Sequence, residues 1–265
     1  MTSLHRHHYL AVLLLALGTA SATAQTAEGQ PAAGGGDALK ILSDPSDFRS
    51  RFELRNEYAA TQGGGSVNAL VPRLEYAHTP ALAFRLELPF VATDPNRPGT
   101  SQTSGLGDLT ARVAWRVLRT ADSSLVAVAE FSVPSAENSQ LGIRRYVFKP
   151  SAYLVHDLPR YKSTLFPYVQ QFWAFGGTSD VDINTTLLGV GVLTRLPNRS
   201  YSFVEPSVYI DWERSGRTGA TLEVELGRFF TKTTGLYLRP GVGLWGDNIP
   251  PVYDWNFEVG LRYFF

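Results

Sequence analysis

From Phe48 onward, apolar residues recur at every second position. In "RFELRNEYA", Phe52, Leu54 and Tyr58 fall on one side, and Arg51, Glu53, Arg55 and Glu57 on the other. "LVPRLEYA" repeats the pattern with Leu70, Leu74 and Tyr76 against Arg73 and Glu75, and "LAFRLELPF" sets Leu82, Phe84, Leu86, Leu88 and Phe90 against Arg85 and Glu87. "GDLTARVAWRV" opposes Leu109, Val113, Trp115 and Val117 to Asp108, Thr110, Arg112 and Arg116. Successive side chains of an extended strand point to opposite faces, so this period belongs to strands and not to a 3.6-residue helix. The alternation predicts about twelve strands, at 51–60, 67–77, 81–91, 107–118, 124–134, 146–156, 164–175, 184–196, 201–212, 219–230, 235–245 and 252–265. Long links such as "TDPNRPGTSQTS" and "SAENSQLG" alternate with tight ones such as "HTP", "LPNRS" and "TKTT", as in an up-and-down antiparallel meander. Pro72, Pro150, Pro167, Pro206 and Pro240 fall inside these strands, where a missing N–H predicts bulges or displaced strand ends. Strands six to nine, which include "YVFKPSAYLVHDL" and "LFPYVQQFWAF", do not declare an outward face.

A barrel with this alternation can turn its apolar face inward, as a soluble lipid carrier does, or outward to lipid with a polar lumen. Three features favour the second. Charges of both signs alternate on the polar face, where they satisfy one another across strands. Tyr58, Tyr76, Trp115, Trp212, Trp255 and Tyr263 sit near strand ends, as an interfacial aromatic girdle requires. An even number of strands closes without the free edges that lipid cannot tolerate. A secreted β-sandwich would show many Lys, Thr and Ser on its outer face, and Lys is scarce here. The expected fold is therefore an all-β, transmembrane, antiparallel up-and-down β-barrel. Its expected lumen lining is Arg51, Glu53, Arg55, Glu57, Arg73, Glu75, Arg85, Glu87, Arg112, Arg116, Glu223, Glu225, Arg239, Asp254, Glu258 and Arg262, with Asp108, Glu130, Glu205 and Asp211 on the same side. Most arginines come from early strands and many carboxylates from late ones, which predicts two opposed walls and a field across the lumen. Twelve strands predict a passage narrower than the aqueous channels of 16 to 18 strands, or one closed by side chains.

The chain start changes where this barrel is expected. "MTSLHRHHY" is a short, weakly basic opening, "LAVLLLAL" an apolar run too short to span a bilayer, and "ASATA" a small-residue cleavage site. Residues 1–24 read as a secretory signal peptide, 25–47 as a flexible periplasmic leader rich in Ala, Gly and Pro, and 48–265 as the barrel. Lys plus Arg and Asp plus Glu are 24 each, so no basic excess supports a nucleic-acid partner. Cysteine is absent, which removes disulfides, thiol nucleophiles and thiolate metal sites. No apolar run reaches the length of a membrane-spanning helix.

"SGLGDLTARVAWRV", followed by "SLVAVAEFSVPSAE" and a loop carrying Leu141 and Gly142, resembles the outer-membrane transporter family associated with the meta-cleavage pathway of phenol degradation. "LRLELPF" and "LRPGVGLWG" are similar to it as well. Members usually carry Pro-Thr-Gly where this chain has Pro134, Ser135 and Ala136. The resemblance spans the barrel from about Phe48 to Phe265 and implies a small barrel that passes hydrophobic or aromatic small molecules. The ending "FEVGLRYFF" likewise resembles the C-terminal signal that outer-membrane barrels present to the barrel-assembly machinery, here Leu261, Tyr263 and Phe265. Phe264 falls on the lumen side of that strand.

Candidate chemistry is thin. "GLGD" (105–108) lacks the third glycine and the following helix of a dinucleotide loop, and reads as glycines shaping the entry to a strand. After the signal only His78 and His156 remain, neither in a His-x-Ser pair, and a hydrolase needs a serine within reach of an imidazole. Alternating carboxylates such as Glu223 and Glu225 read as lumen residues paired with arginine, so neither a metal nor a cofactor is expected. The sequence thus favours an outer-membrane channel for small solutes, in contact with outer-membrane lipid. A barrel with a structural or assembly role and no pore, and a lipid-modifying hydrolase, are the alternatives.

Overall fold

The computed structural model describes residues 45–96, 99, 101–246, 249 and 251–265. The expected signal peptide and the leader up to residue 44 lie outside the described residues. The strands are β1 (Arg51–Ala60), β2 (Ser66–Thr79), β3 (Leu82–Glu87), β4 (Phe90–Asp94), β5 (Thr103–Leu106), β6 (Thr110–Arg119), β7 (Ser123–Ser132), β8 (Tyr146–Leu158), β9 (Ser163–Phe175), β10 (Asn184–Leu196), β11 (Ser200–Asp211), β12 (Arg217–Phe229), β13 (Thr234–Trp245) and β14 (Trp255–Phe264). β3 and β4 both pair with β2, β3 also pairs with β6, and β4 with β5. β3 with β4, and β5 with β6, are therefore each one wall strand with a break in it, so the wall has twelve strands. β1 pairs with β2 on one side and β14 on the other, which closes the sheet into an antiparallel barrel. Among the described residues no helix is long and apolar enough to cross a membrane.

One rim carries tight turns, among them the 3-10 turn at Pro159–Tyr161. The chain enters and leaves the barrel at this rim, where the Phe265 N–H donates to the Ser50 carbonyl. The other rim carries the longer connections, 133–145 being the longest with all its residues described.

The prolines do not produce the expected bulges. Pro150, Pro167, Pro206 and Pro240 all lie mid-strand, and beside each the ladder on one side omits two pairs and then resumes in the same register. Pro72 faces the Leu88–Pro89 break between β3 and β4, where the Leu88 N–H still reaches the Pro72 carbonyl at 3.2 Å. A proline removes one donor, and the barrel absorbs this as a local gap because its neighbours hold the register. Register shifts occur elsewhere, at Ala77/Thr79, Arg116/Leu118 and Ala220/Thr221.

Facing follows the alternation. Glu53 and Glu225 are fully buried within the barrel, whereas Leu74, Leu86, Trp115, Leu238 and Tyr263 are about half exposed on its outside. The girdle residues Tyr76, Trp115, Trp212, Trp255 and Tyr263 are all exposed, and the Tyr58 ring packs at a tilt against Trp255 with centroids 5.1 Å apart.

The inner face is less polar than the alternation implies. Val155, Phe166, Leu193, Tyr201, Phe203, Phe229, Tyr237 and Phe264 form one buried cluster on the inner side of β8–β14. Phe264 packs on Phe229 at 5.9 Å. Glycines make room for these rings. Gly191, Gly227 and Gly260 lie directly opposite Phe166, Tyr201 and Tyr237, and a Cβ on any of them would sit 2.0–2.3 Å from a ring atom. Each ring therefore lies flat across its glycine. Replacing Gly260 with alanine is expected to destabilise the barrel by about 1–3 kcal/mol, the usual cost of overpacking. Denaturant unfolding in detergent micelles checks this, and an unchanged midpoint would rule out the close contact.

Candidate functional site

The ladder register sets charges side by side across the inner wall. One row runs Arg51, Glu75, Arg85, Arg112, Glu130, Lys149 through β1, β2, β3, β6, β7 and β8. The next runs Arg262, Glu53, Arg73, Glu87 through β14, β1, β2 and β3. Antiparallel partners on one face are close enough for such side chains to pair directly.

The ion pairs follow these rows. Glu75 accepts from Arg51 at 3.3 Å and from Arg85 at 2.6 Å. Arg73 donates to Glu53 at 3.1 Å and to Glu87 at 2.8 Å, and Arg55 reaches Glu87 at 3.2 Å and Glu57 at 2.6 Å. Arg262 links both ends of the sheet: its Nε donates to Glu53 at 2.8 Å and its Nη1 to Glu225 at 2.7 Å and to the Tyr201 hydroxyl at 2.8 Å. Its guanidinium lies 3.9 Å from the Tyr237 ring centre, and Tyr237 in turn donates to Glu258 and Glu53. Arg239 pairs with Glu205 and Glu223, and Glu223 also accepts from Tyr253 and Asn256. The two opposed walls expected from chain order therefore do not form. Arginines and carboxylates interdigitate between strands one or two apart and neutralise each other locally.

Of the expected lumen residues, Asp254 stands apart. It is exposed in the segment before β14, not on the wall, because the strand begins one residue later. Arg116 points inward at the turn rim, where its Nη1 donates to the Ser46 carbonyl at 2.7 Å. That bond belongs to a feature the periodicity did not reveal. The described end of the leader lies inside the barrel, with Ser46 buried and Phe48 packed among Ala83, Ala114, Val126 and Val128 of β3, β6 and β7. The single aromatic in "DPSDFRS" was the only sequence signal for it.

Above Phe48 the lumen keeps a cavity of about 170 Å³. Arginines dominate its charged lining (Arg51, Arg73, Arg85, Arg112, Arg239 and Arg262), and rings of Phe48, Tyr153, Phe166 and Phe203 contribute apolar wall. At the opposite rim the 133–145 connection folds inward. Asp108 accepts backbone N–H groups of Ala136, Ile143 and Arg144 at 3.0, 2.7 and 3.1 Å, and Leu141 and Ala136 pack against Val71 and Val91. Gly105 and Gly107 allow this fold-in, since a Cβ on either would strike Glu137 or Val91. The "GLGD" stretch is thus a loop anchor whose acidic residue does more than enter a strand.

Ser123 and His156, directly opposite across β7 and β8, meet at 2.9 Å between Oγ and Nδ1. Asp157, the next residue in β8, is turned toward Thr164 at 2.8 Å and Arg195 at 3.6 Å. Among the described residues no acid hydrogen-bonds the imidazole, the place that the third group takes in nucleophilic catalysis. Among the described residues no three His, Cys, Asp or Glu side chains converge as metal ligands.

Comparison with solved structures places this fold among outer-membrane barrels. An outer-membrane channel from Pseudomonas putida F1 superposes with a TM-score of 0.63 at 17% identity, over 84% of this chain and 99% of that one. The porin NanC gives 0.58 at 8% identity, over 80% and 98%. The porin KdgM, in complex with disordered oligogalacturonate, gives 0.53 at 11% identity, over 81% and 99%. No family model matches the sequence. No curated protein matches it either.

Proposed function

We propose that this chain is an outer-membrane channel for small solutes, exported through the signal peptide at 1–24 and inserted by the barrel-assembly machinery through its C-terminal Leu261, Tyr263 and Phe265. The observation that carries this reading is the closed twelve-strand wall, with large apolar side chains exposed on its outside and ion-paired arginines around a retained cavity within. Water would not stabilise so apolar an outer surface, whereas lipid does. The likeness to porins and an outer-membrane channel supports the same reading at the level of fold. The cavity fits solutes of about one ring, consistent with the aromatic molecules that the sequence resemblance implies.

The packed cluster on β8–β14 supports a second reading, a structural barrel without a pore. Single-channel recording on the purified protein in planar bilayers separates the two. The channel reading expects small, discrete current steps. A membrane with inserted protein that stays silent, with and without small aromatics, overturns it.

A further inference from the structure

Within the lumen row described above, the charges read plus, minus, plus, plus, minus, plus, two more cations than anions, and among the described residues Arg112 is the one of the six that forms no ion pair. Glu75 is shared by Arg51 and Arg85. Glu130, the sole carboxylate directly opposite Arg112, is taken by Lys149 at 2.7 Å. The residue opposite Arg112 on its other side is Arg85, a like charge. The Nε of Arg112 is buried with no hydrogen-bond partner, and among the described residues no carboxylate forms an ion pair with it. Glu130 and Glu75 act on Arg112 from a distance but neither pairs with it directly, and the planar fork of a guanidinium matches a carboxylate. Arg112 lines the 170 Å³ cavity together with the rings of Phe48, Tyr153, Phe166 and Phe203. A volume of about 150 Å³ holds one benzene ring, and this cavity is of that size, though its lining is largely polar and includes the carboxylates of Asp47, Glu75 and Glu205.

We propose that this cavity is a binding site for a small monocarboxylate with a one-ring apolar body, its carboxylate held by Arg112 and its ring lying against Phe48, Tyr153, Phe166 and Phe203. Arg112 offers one planar fork of donors without an ion pair, and one carboxylate fills it, so a monocarboxylate fits. The remaining arginines of the lining are already engaged: Arg73 and Arg262 by Glu53, and Arg239 by Glu205 and Glu223. They shape the field without offering a free fork. This assignment deepens the channel reading by naming the solute its lumen retains, yet it stands on the cavity and on Arg112 alone.

Calorimetric titration of the purified full chain in detergent tests it, with benzoate as probe and benzyl alcohol and acetate as controls. Benzoate is expected to bind one to one, at least about 10-fold tighter than benzyl alcohol, which has the ring without the charge, or acetate, which has the charge without the ring. Arg112→Gln is expected to weaken benzoate roughly 10- to 100-fold and to leave benzyl alcohol unchanged, and Arg112→Lys to restore part of the loss. Benzoate binding that survives Arg112→Gln, or that is no tighter than benzyl alcohol in the unaltered protein, overturns the proposal. The second comparison decides the matter even if the variant does not fold. Silent bilayers with intact benzoate binding would count against the channel and not against this site; current without benzoate binding would do the reverse.

Discussion

Replacing Arg262 with methionine is expected to destabilise the barrel by about 3–5 kcal/mol, the cost of leaving buried charges without their partner. The side chain is nearly completely enclosed, and the two carboxylates it joins, Glu53 and Glu225, have no exposed surface. Removing the guanidinium leaves Glu53 with Arg73 and Tyr237, and Glu225 with the Tyr201 hydroxyl and a distant Arg239 at 3.7 Å. The effect should be strongly non-additive. A triple variant, Arg262→Met with Glu53→Gln and Glu225→Gln, is expected to lose less than Arg262→Met alone, because it removes the stranded charges along with their partner. Denaturant unfolding in detergent micelles, following tryptophan fluorescence, provides the comparison. A triple variant less stable than the single one would mean that packing, not charge compensation, holds this part of the lumen.

Shortening the chain to begin at Arg49 is expected to raise single-channel conductance severalfold. Phe48 and the residues just before it occupy the lumen at the turn rim but belong to no wall strand, so their removal leaves the barrel ladder whole. The single substitution Phe48→Ala should act in the same direction. Losing a buried phenylalanine side chain typically costs about 3–5 kcal/mol, enough to shift a docked segment toward release by a factor on the order of 100 or more. The Arg116 contact to the Ser46 carbonyl remains in that variant and keeps the segment near the mouth. Recordings that show equal current from the full chain, the shortened chain and Phe48→Ala would place the constriction elsewhere, at the inward-folded 133–145 connection or among the rings on β8–β14.

The wall was legible wherever its two faces differ in polarity. In β1, β2 and β3, Arg and Glu alternate with Phe, Leu and Tyr, and the expected strands agree with the structure to within a few residues at each end. The contrast disappears in β9. Its inner face carries Thr164, Phe166 and Tyr168 and its outer face Val169, Trp173 and Phe175, so both sides are aromatic and a period of two leaves no trace in hydropathy. The reason lies in the partner strands. Gly189 and Gly191 of β10 provide flat ground for those inward rings, a pairing set by register and not by spacing within either strand. The ion pairs were legible as residue types but not as partners, because which arginine meets which carboxylate depends on strand stagger. The prolines misled for a related reason. A single strand cannot show that its neighbours will hold the register across a missing donor. Asp108 was read as one more lumen anion, since nothing in a local pattern foretells that a loop about thirty residues later will fold back onto it.

The closing seam has a consequence for the lifetime of the barrel. β1 and β14 pair over ten residue couples, and the Arg262–Glu53 contact across that seam joins positions 209 apart in the chain. Contacts between such distant positions form late, after the shorter hairpins, because closing so long a loop is entropically expensive. While the sheet is still open, Arg262 has Glu225 on its own side but not Glu53. The network is complete only when the circle is complete. Interactions that form after the rate-limiting ascent hardly change how fast a protein assembles, but they slow its escape from the native state. The arginine at the seam therefore works as a clasp: it governs how long the closed barrel lasts more than how quickly it closes.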